Sequence, residues 1–150
     1  MMFQTLLTPD CTYSAVAVHS KKRILEKIAE IAANKISNSS AHELLESLMV
    51  RERMGTTGIG SGIAIPHGRL SNTSDVVCVM LTTEEPIAFD AIDNRPVDIF
   101  VALFVPEDSC KEHISTLQSI AKVFTNKDVC KQARRCTDDQ ELFNLIQQQS

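Results

Sequence analysis

The sequence predicts an α/β fold, a single domain in which a mixed β-sheet is flanked by α-helices on both faces. Three observations predict it. Segments with apolar residues at helical spacing occupy both ends of the chain. Two continuous apolar runs lie between them, and no repeat, low-complexity tract or long linker divides the sequence. A chain of 150 residues with 43% hydrophobic content can bury one core, so one domain over 1–150 is expected.

The first helix opens at Ser20, a capping residue, ahead of Ile24, Leu25, Ile28, Ile31, Ala32 and Ile36. Its first turn, Lys21-Lys22-Arg23, is disfavoured by the helix dipole and reads as a solvated basic patch, with docking of an acidic partner as the alternative. The second helix begins with a capping box, Ser40 and Glu43, and presents Leu44, Leu45, Leu48 and Met49; Gly55 is placed to end it. Val76 to Leu81 and Val97 to Val105 are apolar without alternation, the pattern of strands buried on both faces. Pro96 and Pro106 bracket the second run. Ser109 with Glu112, and Thr137 with Gln140, suggest capping boxes for two closing helices, with a short helical piece from Lys127 to Arg135 between them.

Composition removes several function classes. The net charge of -4 argues against a general nucleic-acid binder. No run of eighteen apolar residues exists, so no membrane insertion is expected, and the N-terminus has neither a basic start nor an apolar core of a secretory signal. The five cysteines, Cys11, Cys78, Cys110, Cys130 and Cys136, form no CxxC pair and read as reduced thiols of a cytoplasmic protein.

All five glycines fall between positions 55 and 68, in Gly55-Thr56-Thr57-Gly58-Ile59-Gly60-Ser61-Gly62-Ile63-Ala64-Ile65-Pro66-His67-Gly68-Arg69. Such a concentration can expose backbone N–H groups to an anion, with a long flexible loop as the alternative. A nucleotide loop is poorly supported. The stretch has no Lys for a Walker motif, and Ile63 stands where the dinucleotide fingerprint needs glycine. What remains is a histidine set between a proline that fixes the turn and a glycine that leaves room beside the ring. Neutral imidazole is a nucleophile near pH 7 and can carry a covalent intermediate.

Glu52, then six residues, then Ile59-Gly60-Ser61-Gly62-Ile63-Ala64-Ile65-Pro66-His67-Gly68 resembles the signature of the mannitol/fructose/nitrogen class of enzyme IIA domains of the bacterial phosphotransferase system. The likeness extends through Arg51 to Gly55, Pro86 to Asp98 and Leu103 to Pro106, and is closest to the nitrogen-regulatory members. It implies that His67 takes a phosphoryl group from the histidine of an HPr-like carrier protein. It implies further that His113 sits beside the ring and supports the group, and that Arg51 is a cation facing the site. Thr56, Gly58, Gly60, Gly62, Gly68 and Arg69 are then expected to line the phosphoryl group. Gly-Thr-Thr-Gly at 55–58 replaces the commoner Gly-Ser-Thr-Gly and keeps a hydroxyl. No metal and no cofactor are implied.

The residues themselves leave alternatives open. His113 is equally compatible with the edge of the Leu117/Ile120/Phe124 stripe, and Arg51 with an exposed arginine off the apolar stripe of its helix. Glu52 falls in line with Leu45, Leu48 and Met49, where a free carboxylate is costly; a cation or loop N–H groups should hold it as a structural brace. Two functions share the phosphoryl chemistry. The preferred one is regulation of target proteins such as potassium transporters and sensor kinases; the other is relay to a sugar-transporter IIB domain, which would need IIB and membrane IIC partners outside a chain ending at Ser150. A thiol or metal site on Cys110-x-x-His113 is a third reading, short of a ligand set.

Overall fold

A computed structural model describes residues 2–71 and 74–149. The element order is α1 (Phe3–Leu6), β1 (Thr12–Val16), α2 (Lys21–Ala33), α3 (Ala41–Arg53), β2 (Gly58–Gly60), β3 (Ile63–Ala64), β4 (His67–Leu70), β5 (Val77–Ile87), β6 (Val97–Pro106), α4 (Ile114–Val123), α5 (Lys127–Arg135) and α6 (Asp139–Gln147).

β6 organises the sheet. From Ile99 to Val105 its side chains alternate between two separate cores, and each is buried, which is why the run carries no polar residue. Phe100, Ala102 and Phe104 pack under α2 and α3; Ile99, Val101, Leu103 and Val105 pack under the helices of the other face. β5 pairs with β6 antiparallel from Val77↔Phe104 to Ile87↔Val97, and β1 adds to β5 in parallel. On its other side β6 pairs in parallel with β3, Ile63↔Ile99, and then with β4, His67↔Leu103 to Leu70↔Pro106. β2 completes that edge antiparallel to β3. The sheet is mixed, with six strands and helices on both faces.

β3 and β4 are two pieces of one interrupted strand. The break falls at Ile65-Pro66, because Pro66 has no N–H for a ladder. Its carbonyl still accepts from Leu103 N–H at 3.0 Å, and Ile65 N–H turns back to the Thr57 carbonyl at 2.9 Å. The chain is thereby pinned on both sides immediately before His67.

Ser20 and the Ser40/Glu43 box cap α2 and α3 through Arg23 N–H and Glu43 N–H. The later caps differ from expectation. Glu107–His113 forms a 3-10 segment in which Ser109 (φ -117°, ψ 20°) donates its hydroxyl to the Pro106 carbonyl, so the Ser109/Glu112 box does not form and α4 starts at Ile114 with His113 as its N-cap. Asp138, not Thr137, caps α6, accepting from Gln140 N–H and Glu141 N–H; a carboxylate there also suits the helix dipole. The glycine-rich stretch is not one long loop but three short strands held by pairing to β6 and to one another. β1 precedes all the helices of substance, so the order is not simply helices, then strands, then helices.

Lys21 also departs from the solvated patch expected of its turn. Its ammonium lies 2.9 Å from Glu52 and 4.5 Å over the Phe89 ring, tying the start of α2 to the end of α3. Cys11, Cys78, Cys130 and Cys136 are buried free thiols, and burial raises the pKa of each, Cys136 to about 11. No helix among the described residues is long and apolar enough to cross a membrane.

Candidate active site

Ser47, Val50, Arg51 and Met54 recur at i, i+3, i+4 and i+7 near the end of α3, on the flank of its buried Leu44 and Leu48. That face looks across a groove of about 440 Å³ to His67, Gly68 and Arg69 at the start of β4. The two walls are stitched by Ser47, whose hydroxyl donates to the Arg69 carbonyl at 2.9 Å and accepts from Arg69 N–H at 2.8 Å. Gly68 is required by this approach. A Cβ there would lie 2.6 Å from Ser47 Oγ and 3.3 Å from the Phe104 ring.

His67 is half-buried and bonded at both ring nitrogens. Nδ1 lies 3.0 Å from the Ile65 carbonyl, and a carbonyl only accepts, so Nδ1 carries the proton. Nε2 lies 3.0 Å from Arg51 Nε, whose N–H needs a lone pair. Only the neutral Nδ1–H tautomer satisfies both. Burial lowers the pKa of His67 and the Arg51 charge lowers it further, against the Ile65 carbonyl, which raises it. The ring is therefore held neutral, with its nucleophilic lone pair at Nε2.

Arg51 is anchored at a second point, with Nη1 2.8 Å from the Gly55 carbonyl. Behind it, Glu52 has a side chain only 6% exposed and meets both kinds of partner a buried carboxylate needs. Lys21 supplies the cation; Thr57 supplies its N–H at 3.2 and 3.3 Å and its hydroxyl. This brace fixes the last turn of α3 against the strand that leads to His67.

The other expected residues are not brought together. Thr56 is used within the backbone, its hydroxyl donating to the Phe89 carbonyl and accepting from Gly58 N–H. Gly58 lies against Ala91, where a Cβ would come within 2.8 Å. Gly60 and Gly62 form the β2–β3 turn at φ +101° and +81° and line a different groove, beside Arg134 and Asp98. Of the glycines, only Gly68 borders the His67 groove. His113 is half-buried at the N-cap of α4, outside that groove; its Nδ1 is buried without a hydrogen-bond partner, and no hydrogen bond joins it to His67 among the described residues. The side chain of Cys110 lies outside what the structure describes, and no group of three metal-ligating side chains occurs among the described residues.

Ser47, Val50 and Met54 were missed by sequence reasoning. Their spacing with Arg51 was the available signal, together with apolar Val50 and Met54 off the buried stripe; they are 48% and 74% exposed.

Residues 5–149 match the family described as phosphoenolpyruvate-dependent sugar phosphotransferase system, EIIA 2. This chain belongs to that EIIA 2 family. It is 46% identical over 147 residues to the nitrogen regulatory proteins of Klebsiella oxytoca and Escherichia coli K12, covering 97% of this chain and 90% of each relative. The crystal structure of nitrogen regulatory protein IIA-Ntr from Neisseria meningitidis superposes with a TM-score of 0.89 at 30% identity, over 96% of this chain and 98% of that one. IIA mannitol from Escherichia coli shares the fold, with a TM-score of 0.77 at 15% identity over 93% of this chain and 98% of its own. EIIA 2 membership and the nitrogen regulatory relatives support a phosphocarrier role for this chain.

Proposed function

We propose that this protein accepts a phosphoryl group on Nε2 of His67 from a histidine of an HPr-like carrier protein, and that its phosphorylation state regulates target proteins of the kind represented by potassium transporters and sensor kinases. The observation that carries the reading is the pair of contacts that leaves His67 neutral with its lone pair at Nε2.

The Nε2 lone pair forms the new N–P bond while the bond to the donor's ring nitrogen breaks, and that nitrogen leaves with the electron pair. No proton moves at His67. Nδ1–H stays on the Ile65 carbonyl, which offsets the positive charge the ring gains. Arg51 occupies the lone pair at rest and swings aside as the phosphorus arrives; its Nη1 anchor on Gly55 keeps the guanidinium within reach of the phosphoryl oxygens. Arg69, on the same groove, adds a second positive charge. Exposed Val50 and Met54 on the rim offer a partner protein an apolar contact. We assign His113 to support the phosphoryl group from the N-cap of α4, at the end of the 3-10 segment that packs against β4.

The regulatory purpose is preferred over relay to a IIB domain because identity reaches 46% with nitrogen regulatory proteins and 26% with a fructose-like EIIA component of Escherichia coli. A phosphoryl group adds a charge of about -1.5 to -2, enough to change which surfaces dock on this groove. The test is transfer of label from a phosphorylated HPr-like carrier to wild type, His67→Ala and His113→Ala. The reading expects labelling of wild type, none of His67→Ala and slow labelling of His113→Ala. Full labelling of His67→Ala overturns it.

A further inference from the structure

The glycine signature has a second face that the histidine chemistry does not use. Gly60, Ser61 and Gly62 turn between β2 and β3 and form one wall of a groove of about 640 Å³, whose opposite wall is α5. The size falls within the roughly 300–1,000 Å³ of small-molecule sites. Four cations line it, Arg95, Lys127, Lys131 and Arg134, in a chain whose net charge is -4. Arg134 is structural; its Nε lies 2.9 Å from both Asp98 carboxylate oxygens and its Nη2 donates to the Ser61 carbonyl at 2.8 Å. Asp93, near the turn, is held by Ser61 N–H at 2.9 Å and Arg95 N–H at 3.1 Å.

Asp98 is thus occupied by Arg134, and Asp93 holds the turn and interacts with the Arg95 charge, while the side chains of Lys127 and Lys131 form no salt bridge among the described residues. Lys127 and Lys131 stand one turn apart on α5, so they share a face. The floor between the cations is apolar, with Ile63 and Phe124 buried and Ile59 40% exposed. Cations spaced around an apolar floor recognise a particular chemistry, a compact anionic head on a short apolar body.

We propose that the groove between the β2–β3 turn and α5 is a binding site for a small organic dianion with an apolar body, separate from the His67 groove. The wall is preformed. Gly62 at φ +81° could not become another residue without a Cβ 2.5 Å from Arg134 Nη2 and 3.0 Å from Asp98. The Asp98–Arg134–Ser61 contacts hold α5 to the turn, so little ordering cost remains when a ligand binds. A ligand here also touches Ile63, four residues ahead of His67 on the same interrupted strand.

The test is titration of the full 15N-labelled chain with phenyl phosphate, followed by amide chemical shifts. Saturable shifts are expected at Gly60, Ser61, Gly62 and Lys131, undiminished in His67→Ala. Lys131→Glu and Lys127→Glu, exposed and unpaired, should keep the fold and weaken binding by about tenfold each, as loss of one charge-assisted contact does. Inorganic phosphate should bind more weakly than phenyl phosphate. Equal binding of the two, shifts confined to Arg51 and His67, or tighter binding of hexaglutamate than of phenyl phosphate at the same amides would each overturn the proposal, the last in favour of a protein-docking face. Because binding is read without phosphoryl transfer, its failure leaves the His67 reading intact.

Discussion

Replacing Glu52 by glutamine keeps the shape of the brace and removes its charge. The carboxylate accepts from Thr57 N–H and hydroxyl and pairs with Lys21 at 2.9 Å, with Glu52 6% and Lys21 27% exposed at the side chain. Losing one partner of such a pair costs about 3–5 kcal/mol when the other is left buried. Lys21 can reach water, and glutamine still accepts from Thr57, so the cost falls below that range, to about 2–3 kcal/mol. For a domain of this size that lowers Tm by roughly 4–12 °C. Lys21→Met should cost about 3–4 kcal/mol, because it leaves the buried Glu52 carboxylate charged without its cation, held by Thr57 alone. The double variant should then be less destabilised than the sum by about 1 kcal/mol or more, as residues in contact are. Urea unfolding of the four proteins measures the cycle. Strict additivity would refute the brace, since it would mean that Lys21 and Glu52 do not sense each other. The same cycle read by phosphoryl transfer should show slower labelling of Glu52→Gln in its folded form, because the turn carrying Arg51 loses its anchor.

Three further outcomes follow from the site. Burial and the Arg51 charge lower the pKa of His67, so phosphoryl acceptance should stay level as pH falls through 6.5 and decline only below it, as the lone pair is lost to a proton; single-turnover rates against pH check this, beside an NMR titration of the ring. Arg51→Met should move that midpoint up toward 6.5, since the neighbouring cation goes, and should slow acceptance by about 10–100-fold for want of a charge on the phosphoryl oxygens. Gly68→Ala should push Ser47 off Arg69 and slow transfer, whereas Gly62→Ala should strain the backbone by about 1–3 kcal/mol and leave the His67 groove unchanged; thermal melts paired with labelling separate the two.

The parts legible in the sequence were those governed by local chemistry. Ser20 and Ser40 announce α2 and α3 because a hydroxyl before an apolar period has one favourable use. The Val97 run could only be a strand buried on both faces, and the helical piece Lys127–Arg135 stands where its pattern placed it. β2, β3 and β4 were illegible for the opposite reason. Gly58, Gly60 and Gly68 have weak strand preference, and pairing with β6 and with one another makes these residues strands. The Ser109/Glu112 pattern misled because the chain leaving Pro106 tightens into a 3-10 segment before α4 can begin.

At the site, the contact between Arg51 and His67 crosses from a helix to a strand that the sequence did not reveal, so it could be approached only through family likeness. Glu52 was legible as a misfit on an apolar stripe; that its cation is Lys21, thirty-one positions earlier, was not. The glycines were legible as a cluster and not as a division of labour. Gly68 lets α3 approach His67, Gly58 packs on Ala91, and Gly60 and Gly62 turn away toward α5.

The measurement that bears most directly on the central claim is 15N–31P NMR of the protein labelled in its imidazole nitrogens, after phosphorylation by an HPr-like carrier. The account predicts phosphorus bonded to Nε2 of His67, with the Nδ1 proton still on the Ile65 carbonyl. Phosphorus on Nδ1, or on any residue other than His67, would contradict it.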